Sequence, residues 1–243
     1  MILRDIGIEL GYDPNRHISE IQQTMKEQNI SQLQATQLYY KKNFQEKDRK
    51  IWKETRCIIN LYLSYLGRYK TAETKQILIK LVKTIEGSQI INYDGFTDIQ
   101  IVFNIDKYFS AAPDEKKKIT LKLIHEAMSV GAKSFNWDHT VCQNSYDKVI
   151  EDNYKNNYVW KTKVSAGRKY IAEVYCEHDI HEYLIYIIIK CYRDKSEIKK
   201  VLLHKVGPHE LDFASYLGDL KWLSNDSVAL IGENPRKQWI VNL

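Results

Sequence analysis

The apolar positions of this chain change their period along its length. In "DPNRHISEIQQTMKEQ", Ile18, Ile21 and Met25 stand at helical spacing behind an Asp13-Pro14 start signal. From Ile51 the apolar positions are Ile51, Trp52, Ile58, Ile59, Tyr62, Leu63 and Leu66. With Thr55 filling the gap they repeat by three and four, which predicts one long amphipathic helix stopped by Gly67; Tyr40 and Phe44 extend its stripe upstream. Ile77, Leu78, Leu81, Val82 and Ile85 predict a further helix over Ala72–Glu86, with Gly87 after it. The period then drops to two. Ile99, Ile101, Phe103 and Ile105 alternate as in a strand, and the Asp94-Gly95 turn gives it a hairpin partner at Gln89–Asn92. Helical spacing returns in "APDEKKKITLKLIHEAMSVGAK", with Pro113, Asp114 and Glu115 in the first turn and Gly131 near the stop. Another helix follows over Asp138–Asn153.

From Asn157 onward the pattern is strands. "NYVWKTKV", "KYIAEVYCEH", "EYLIYIIIKCY", "IKKVLLHKV", "SVALIG" and "KQWIVNL" are separated by short polar turns, which favours an antiparallel meander. The expected fold class is α+β. Residues 1–155 form a mainly helical part with a short hairpin near 89–105, and residues 156–243 an antiparallel β part, in two domains or one continuous domain.

Composition narrows the function classes. The chain of 243 residues is 44% hydrophobic and 28% charged, as a folded domain with a sizeable core is. Its net charge of +5 is spread out, with 23 Lys+Arg against 20 Asp+Glu in residues 1–155 and 13 against 11 in 156–243. That balance permits nucleic-acid contact without implying it. Cys57, Cys142, Cys176 and Cys191 show no CxxC spacing and read as free thiols of a reducing compartment. No apolar run reaches the ~18 residues of a membrane span, and the start lacks the run of a signal peptide, so a cytoplasmic protein is expected.

The densest chemistry lies in "CEHDIHE", Cys176–Glu182. With Ile180 and His181 at a hairpin tip, Cys176 faces Ile185. One apolar face then holds Tyr170, Ala172, Val174, Cys176 and His178, and the other holds Glu173, Tyr175 and Glu177 with Leu184 and Tyr186. Only Cys176 and His178 share a face, short of the three or four ligands that zinc requires; His204 or His209 would have to complete a set. No metal and no cofactor is expected. In "IHEAM" the second histidine of a metalloprotease HExxH is Ser129, and Ile124, Ala127 and Met128 are expected to pack inward with Glu126 solvated. GxSxG, GxxxxGK[ST] and GxGxxG are all absent. Cys142 follows His139 by three residues, close enough for a thiol–imidazole contact with Asp138 or Asn144 as an orienting group. Between residues 41 and 56, seven cations stand against three acids, and Lys42, Arg49, Lys53 and Arg56 fall on one helical face that could follow phosphates. Lys116, Lys117 and Lys118 crowd a positive helix end, a small misfit that an acidic partner would relieve.

The tail "LGDLKWLSNDSVALIGENPRKQWIVNL" sets a Trp-bearing strand, an Asn-Asp turn, a Val-rich strand and a closing Trp strand in succession. It resembles the C-terminal ends of small bacterial immunity-type proteins, cytosolic inhibitors encoded beside toxins. The resemblance covers about 27 residues, implies a non-enzymatic, protein-binding role and identifies no binding residue; the basic net charge departs from the acidity common among inhibitors of nucleases. The residues themselves suggest where such binding would fall. Tyr175 and Tyr186 lie on the second hairpin face, and Trp222 and Trp239 are of the type most enriched at binding hot spots. The expected function is therefore binding and neutralising a partner protein, in a toxin–antitoxin or bacterial defence setting. The alternative is nucleic-acid binding or processing through Lys42, Arg49, Lys53 and Arg56.

Overall fold

In a computed structural model describing residues 1–243, the first element is a strand, β1 (Asp5–Leu10), whose Ile6, Ile8 and Leu10 alternate inward. A 3-10 turn, α1 (Ile18–Gln28), α2 (Gln32–Asn43), α3 (Gln45–Glu54) and α4 (Arg56–Leu66) follow. Next come β2 (Gln76–Val82), β3 (Ile90–Tyr93) and β4 (Phe96–Val102), then α5 (Ile105–Ser110), α6 (Pro113–Phe135) and α7 (His139–Glu151). The strand order is β1-β2-β4-β3, with β1, β2 and β4 parallel and β3 the antiparallel hairpin arm. Ile6, Ile8, Ile77, Ile79, Ile99 and Ile101 line one sheet face with no exposed surface and meet α4 and α6. Burial of each contributes roughly 1.5–3 kcal/mol.

Four expectations are corrected here. The helix over Ala72–Glu86 is strand β2. Paired on both edges, it buries Ile77, Ile79 and Leu81 on one face and sets Leu78, half-buried, and Val82 on the other, and a strand apolar on both faces imitates helical spacing. The helical front part therefore contains a four-stranded sheet. The long helix is interrupted at Phe44 and Thr55, and the change of phase leaves Trp52 exposed. Strand β4 stops at Val102, because the Asn104 side chain caps α5 by accepting the Asp106 N–H at 3.0 Å. Finally, α6 runs through Gly131 and ends at Asn136, which takes the left-handed conformation at φ 55°. Gly131 serves packing instead: a Cβ there would lie 2.0 Å from the Trp137 ring.

As an edge strand, β1 exposes backbone groups that β2 does not take. Side chains satisfy them: Asp48 of α3 accepts the Leu10 N–H at 2.9 Å, and Arg56 of α4 donates to the Ile6 carbonyl at 3.0 Å and to Asp5 at 3.0 Å.

Residues 155–243 form a separate compact unit from residues 1–154. Strands β5 (Asn156–Val164), β6 (Tyr170–His178), β7 (Tyr183–Cys191) and β8 (Glu197–Val206) make an antiparallel sheet in sequence order. The short helix α8 (Glu210–Phe213) leads to a second sheet of β9 (Asp219–Trp222), β10 (Ser227–Ile231) and β11 (Gln238–Asn242), in the order β11-β10-β9. Alternate residues of β6 and β7 share one core with Phe213, Leu220, Val228, Leu230 and Val241, so the two sheets face each other across it. The molecule is α+β.

Candidate functional site

Cys176 pairs with Ile185, and the Asp179 N–H closes the turn on the Glu182 carbonyl, so the hairpin register is the one its alternation predicts. Cys176 and His178 are both buried. Burial pushes the Cys176 thiol up to about 11. His178 Nε2 lies 2.7 Å from the Pro208 carbonyl, which can only accept, so this nitrogen carries a proton and offers no lone pair to a metal. The ring is wedged edge-on against Tyr183 and Phe213. His204 packs on Tyr216 and Trp239, and His209 accepts the Leu211 N–H to cap α8. The histidines of this region brace the fold.

The thiol–imidazole contact at the start of α7 does not form. His139 is exposed and turns to the His125 ring, 6.2 Å away. Cys142 is buried, and burial raises its thiol, the opposite of an activated nucleophile. Around His125, Ile124, Ala127 and Met128 are buried and Glu126 is exposed.

The basic stripe is broken. Lys42 and Arg49 are exposed and Lys53 is half-buried, but Arg56 is turned inward to Asp5 and the β1 backbone. Lys116 is also withdrawn from solvent: its Nζ lies 2.8 Å from Glu54 Oε2.

On the outer face of the four-stranded sheet, Val159 pairs with Tyr175, Tyr175 with Tyr186 and Tyr186 with Leu202. These four residues form one row from edge to edge, roughly 14 Å across at the usual strand spacing. Val159 and Leu202 are exposed and the two tyrosines half-buried. Lys200 spans both rings, its Nζ 4.9 Å from the Tyr175 centroid and 4.1 Å from that of Tyr186, and it is anchored at 3.1 Å by Glu177. The ion pairs Lys190–Glu173 and Lys205–Glu182 complete a charged border. Trp222 and Trp239 are placed differently. Trp222 donates to the Lys163 carbonyl and stacks on Tyr170, while Trp239 packs on His204 and Tyr216. Both are half-buried against the core between the sheets. Strand β11 does form a sheet edge, with Ile240 exposed.

A second constellation has no local motif. At the carboxyl ends of β1 and β2, Glu9, Tyr12, Tyr40, Asp48 and Lys80 line a cavity of about 160 Å³. Carboxyl ends of parallel strands are where open α/β sheets hold ligands. Glu9 and Lys80 are cross-strand partners, and Lys80 Nζ lies 2.5 Å from Asp98 Oδ2 on β4. Burial raises the Glu9 carboxyl above its ordinary range, with Asp48 and Asp98 adding to the shift and Lys80 opposing it. Burial and the bond to Asp48 push the Tyr40 hydroxyl up to about 12.

Comparisons with protein-family models, with curated proteins and with solved structures find no match. No helix is long and apolar enough to cross a membrane.

Proposed function

We propose that the protein binds another protein through the outer face of the β5–β8 sheet. The observation that carries this reading is the Val159–Tyr175–Tyr186–Leu202 row, an apolar and aromatic strip bordered by ion pairs. Interfaces have this anatomy, an aromatic centre within a charged rim. Lys200 holds both rings in place before any partner arrives, which lowers the ordering cost of binding. The tail resemblance supports a cytosolic inhibitor of the bacterial immunity type, which binds and neutralises its target without catalysis. Nucleic-acid binding through residues 42–56 has less support, since Arg56 is committed to β1. The test is parallel affinity capture with the wild-type chain and a Tyr175→Ala/Tyr186→Ala variant of unchanged melting temperature. A protein retained by the first and lost by the second supports the reading. Equal retention sinks it.

A further inference from the structure

The end of the first sheet where β1 and β2 begin carries positive charge that no carboxylate neutralises. Arg4, Lys70 and Lys75 line an open hollow of about 320 Å³ together with Met1 and Ile2. All three cations are exposed, and none makes an ion pair or a side-chain hydrogen bond. The carboxylates of the same segments are turned elsewhere. Asp5 lies 3.0 Å from Arg56 Nη1, and Glu73 accepts the Trp137 indole N–H at 2.7 Å, while Asp94 stands exposed at the β3–β4 turn. Unpaired cations around one hollow attract an anion.

Two aromatic rings stand at the same end of the sheet, and they are a separate observation. Phe96 pairs with Tyr93 on one side and with Gln76, the residue after Lys75, on the other. The Tyr93 and Phe96 rings lie 6.0 Å apart and 22° from parallel, with 53% and 45% of their surface in water. By strand alternation they share the outer face, opposite the core of Ile99 and Ile101, with the exposed Ile91 and Val102. Neither ring fills the core. The Lys75 stem joins the cations to the rings. Its N–H donates to the Gly95 carbonyl at 2.7 Å, and a Cβ on Gly95 would lie 3.1 Å from its Cδ, so it runs along the turn that connects Tyr93 to Phe96. An acidic peptide would use the cations and leave the rings idle. A single nucleic-acid strand uses both, because its bases stack on exposed rings while its phosphates meet cations. In a duplex the base faces are already covered by one another.

We propose that this rim of the β1-β2-β4-β3 sheet binds single-stranded nucleic acid, with bases stacked on Tyr93 and Phe96 and backbone phosphates on Arg4, Lys70 and Lys75. The site is independent of the β5–β8 face and of the 42–56 stripe.

The experiment is a fluorescence-anisotropy titration of the full chain with a labelled thymidine strand of about twelve nucleotides, within the usual span of such sites. The competitors are an abasic strand of the same length, the corresponding duplex and a poly-glutamate peptide. Saturable binding is expected, with the abasic strand and the duplex at least about ten-fold weaker, as the loss of stacking requires. Tyr93→Ala/Phe96→Ala should weaken the thymidine strand by about the same factor. Three phosphate contacts set a log–log salt slope of about −2, which Arg4→Gln/Lys70→Gln/Lys75→Gln should flatten toward zero. Lys42→Gln/Arg49→Gln/Lys53→Gln should leave the affinity unchanged. The abasic comparison uses the wild-type chain alone, so it decides the matter even where a variant fails to fold. The proposal is overturned if the thymidine strand does not saturate, if the abasic strand or the duplex binds as tightly, or if the ring variant keeps wild-type affinity. Loss of binding in the 42–56 variant would overturn it in favour of that stripe, and equal competition by poly-glutamate would overturn it in favour of an acidic protein.

Discussion

Lys116 Nζ lies 2.8 Å from Glu54 Oε2, both side chains almost wholly excluded from water, and the contact ties α6 to α3. Tyr108 lies against the same ammonium, 5.2 Å from its ring centroid. Lys116→Met takes from the buried Glu54 carboxylate its nearer cation, leaving Lys50 Nζ at 3.8 Å, and should cost about 3 kcal/mol in denaturant unfolding, the lower end for breaking one side of a buried pair. Adding Glu54→Leu should recover most of the loss. A single variant within 1 kcal/mol of wild type would show that the pair is not holding the helices.

On the β5–β8 face, alanine at Tyr175 or at Tyr186 should leave melting unchanged and weaken partner binding by roughly 1–2 kcal/mol each. Their effects should fall short of additive, because one Lys200 spans both rings. Unfolding of either variant would make the rings structural instead.

Glu9 gives a pH signature. Its folded titration lies above the ordinary 4.5, so between those two values the folded chain holds the proton more tightly than the unfolded one. Its contribution to stability is greatest below pH 4.5 and is lost as pH rises through the folded value. Glu9→Gln, which cannot ionise, should therefore melt higher than wild type at pH 7, with the gap closing toward pH 4. A gap of the opposite sign at pH 7 would contradict the charge balance of the cavity.

Chelator treatment should leave the melting temperature where it was. His178 donates its Nε2 proton to a carbonyl, and no cluster of three metal-binding side chains exists. A resident ion would stabilise the native state by mass action, so a fall of several degrees on chelation would reveal one.

Any nucleic-acid affinity of the 42–56 stripe should be salt-sensitive and unspecific. With Arg56 withdrawn, at most Lys42, Arg49 and Lys53 remain for phosphates, which sets a log–log salt slope of about −2.7 or shallower. Tight binding that persists at high salt would require a different surface.

The hairpin β6–β7 was legible in the sequence down to its pairing, because one face alternates apolar residues and a polar tip fixes the turn. Strand β2 was not. Carrying apolar residues on both faces, it spaces Ile77, Leu78, Leu81 and Val82 as a helix would, and only its β-branched content hinted otherwise. Strand β1 had the clean alternation of Ile6, Ile8 and Leu10, but its parallel partner lies beyond four helices, where no turn signal can point to it. The cavity was hidden for the same reason. Glu9, Asp48, Lys80 and Asp98 come from four distant segments, and only the parallel topology gathers them. Arg56 read as part of a solvated stripe because helical periodicity says nothing of an edge strand whose carbonyl needs a donor.

The pairing of β1 with β2 also bears on how the chain acquires its shape. As the protein is synthesised, Ile6, Ile8 and Leu10 emerge well before their hydrogen-bonding partners in β2, which are not complete until Val82 has followed. The helices in between can form from neighbouring residues; this strand must wait for a long loop to close, and non-local closure of that kind slows folding. For that interval a bare, β-prone segment is available to any other strand. Until β2 is complete, β1 is open to chaperones and to self-association.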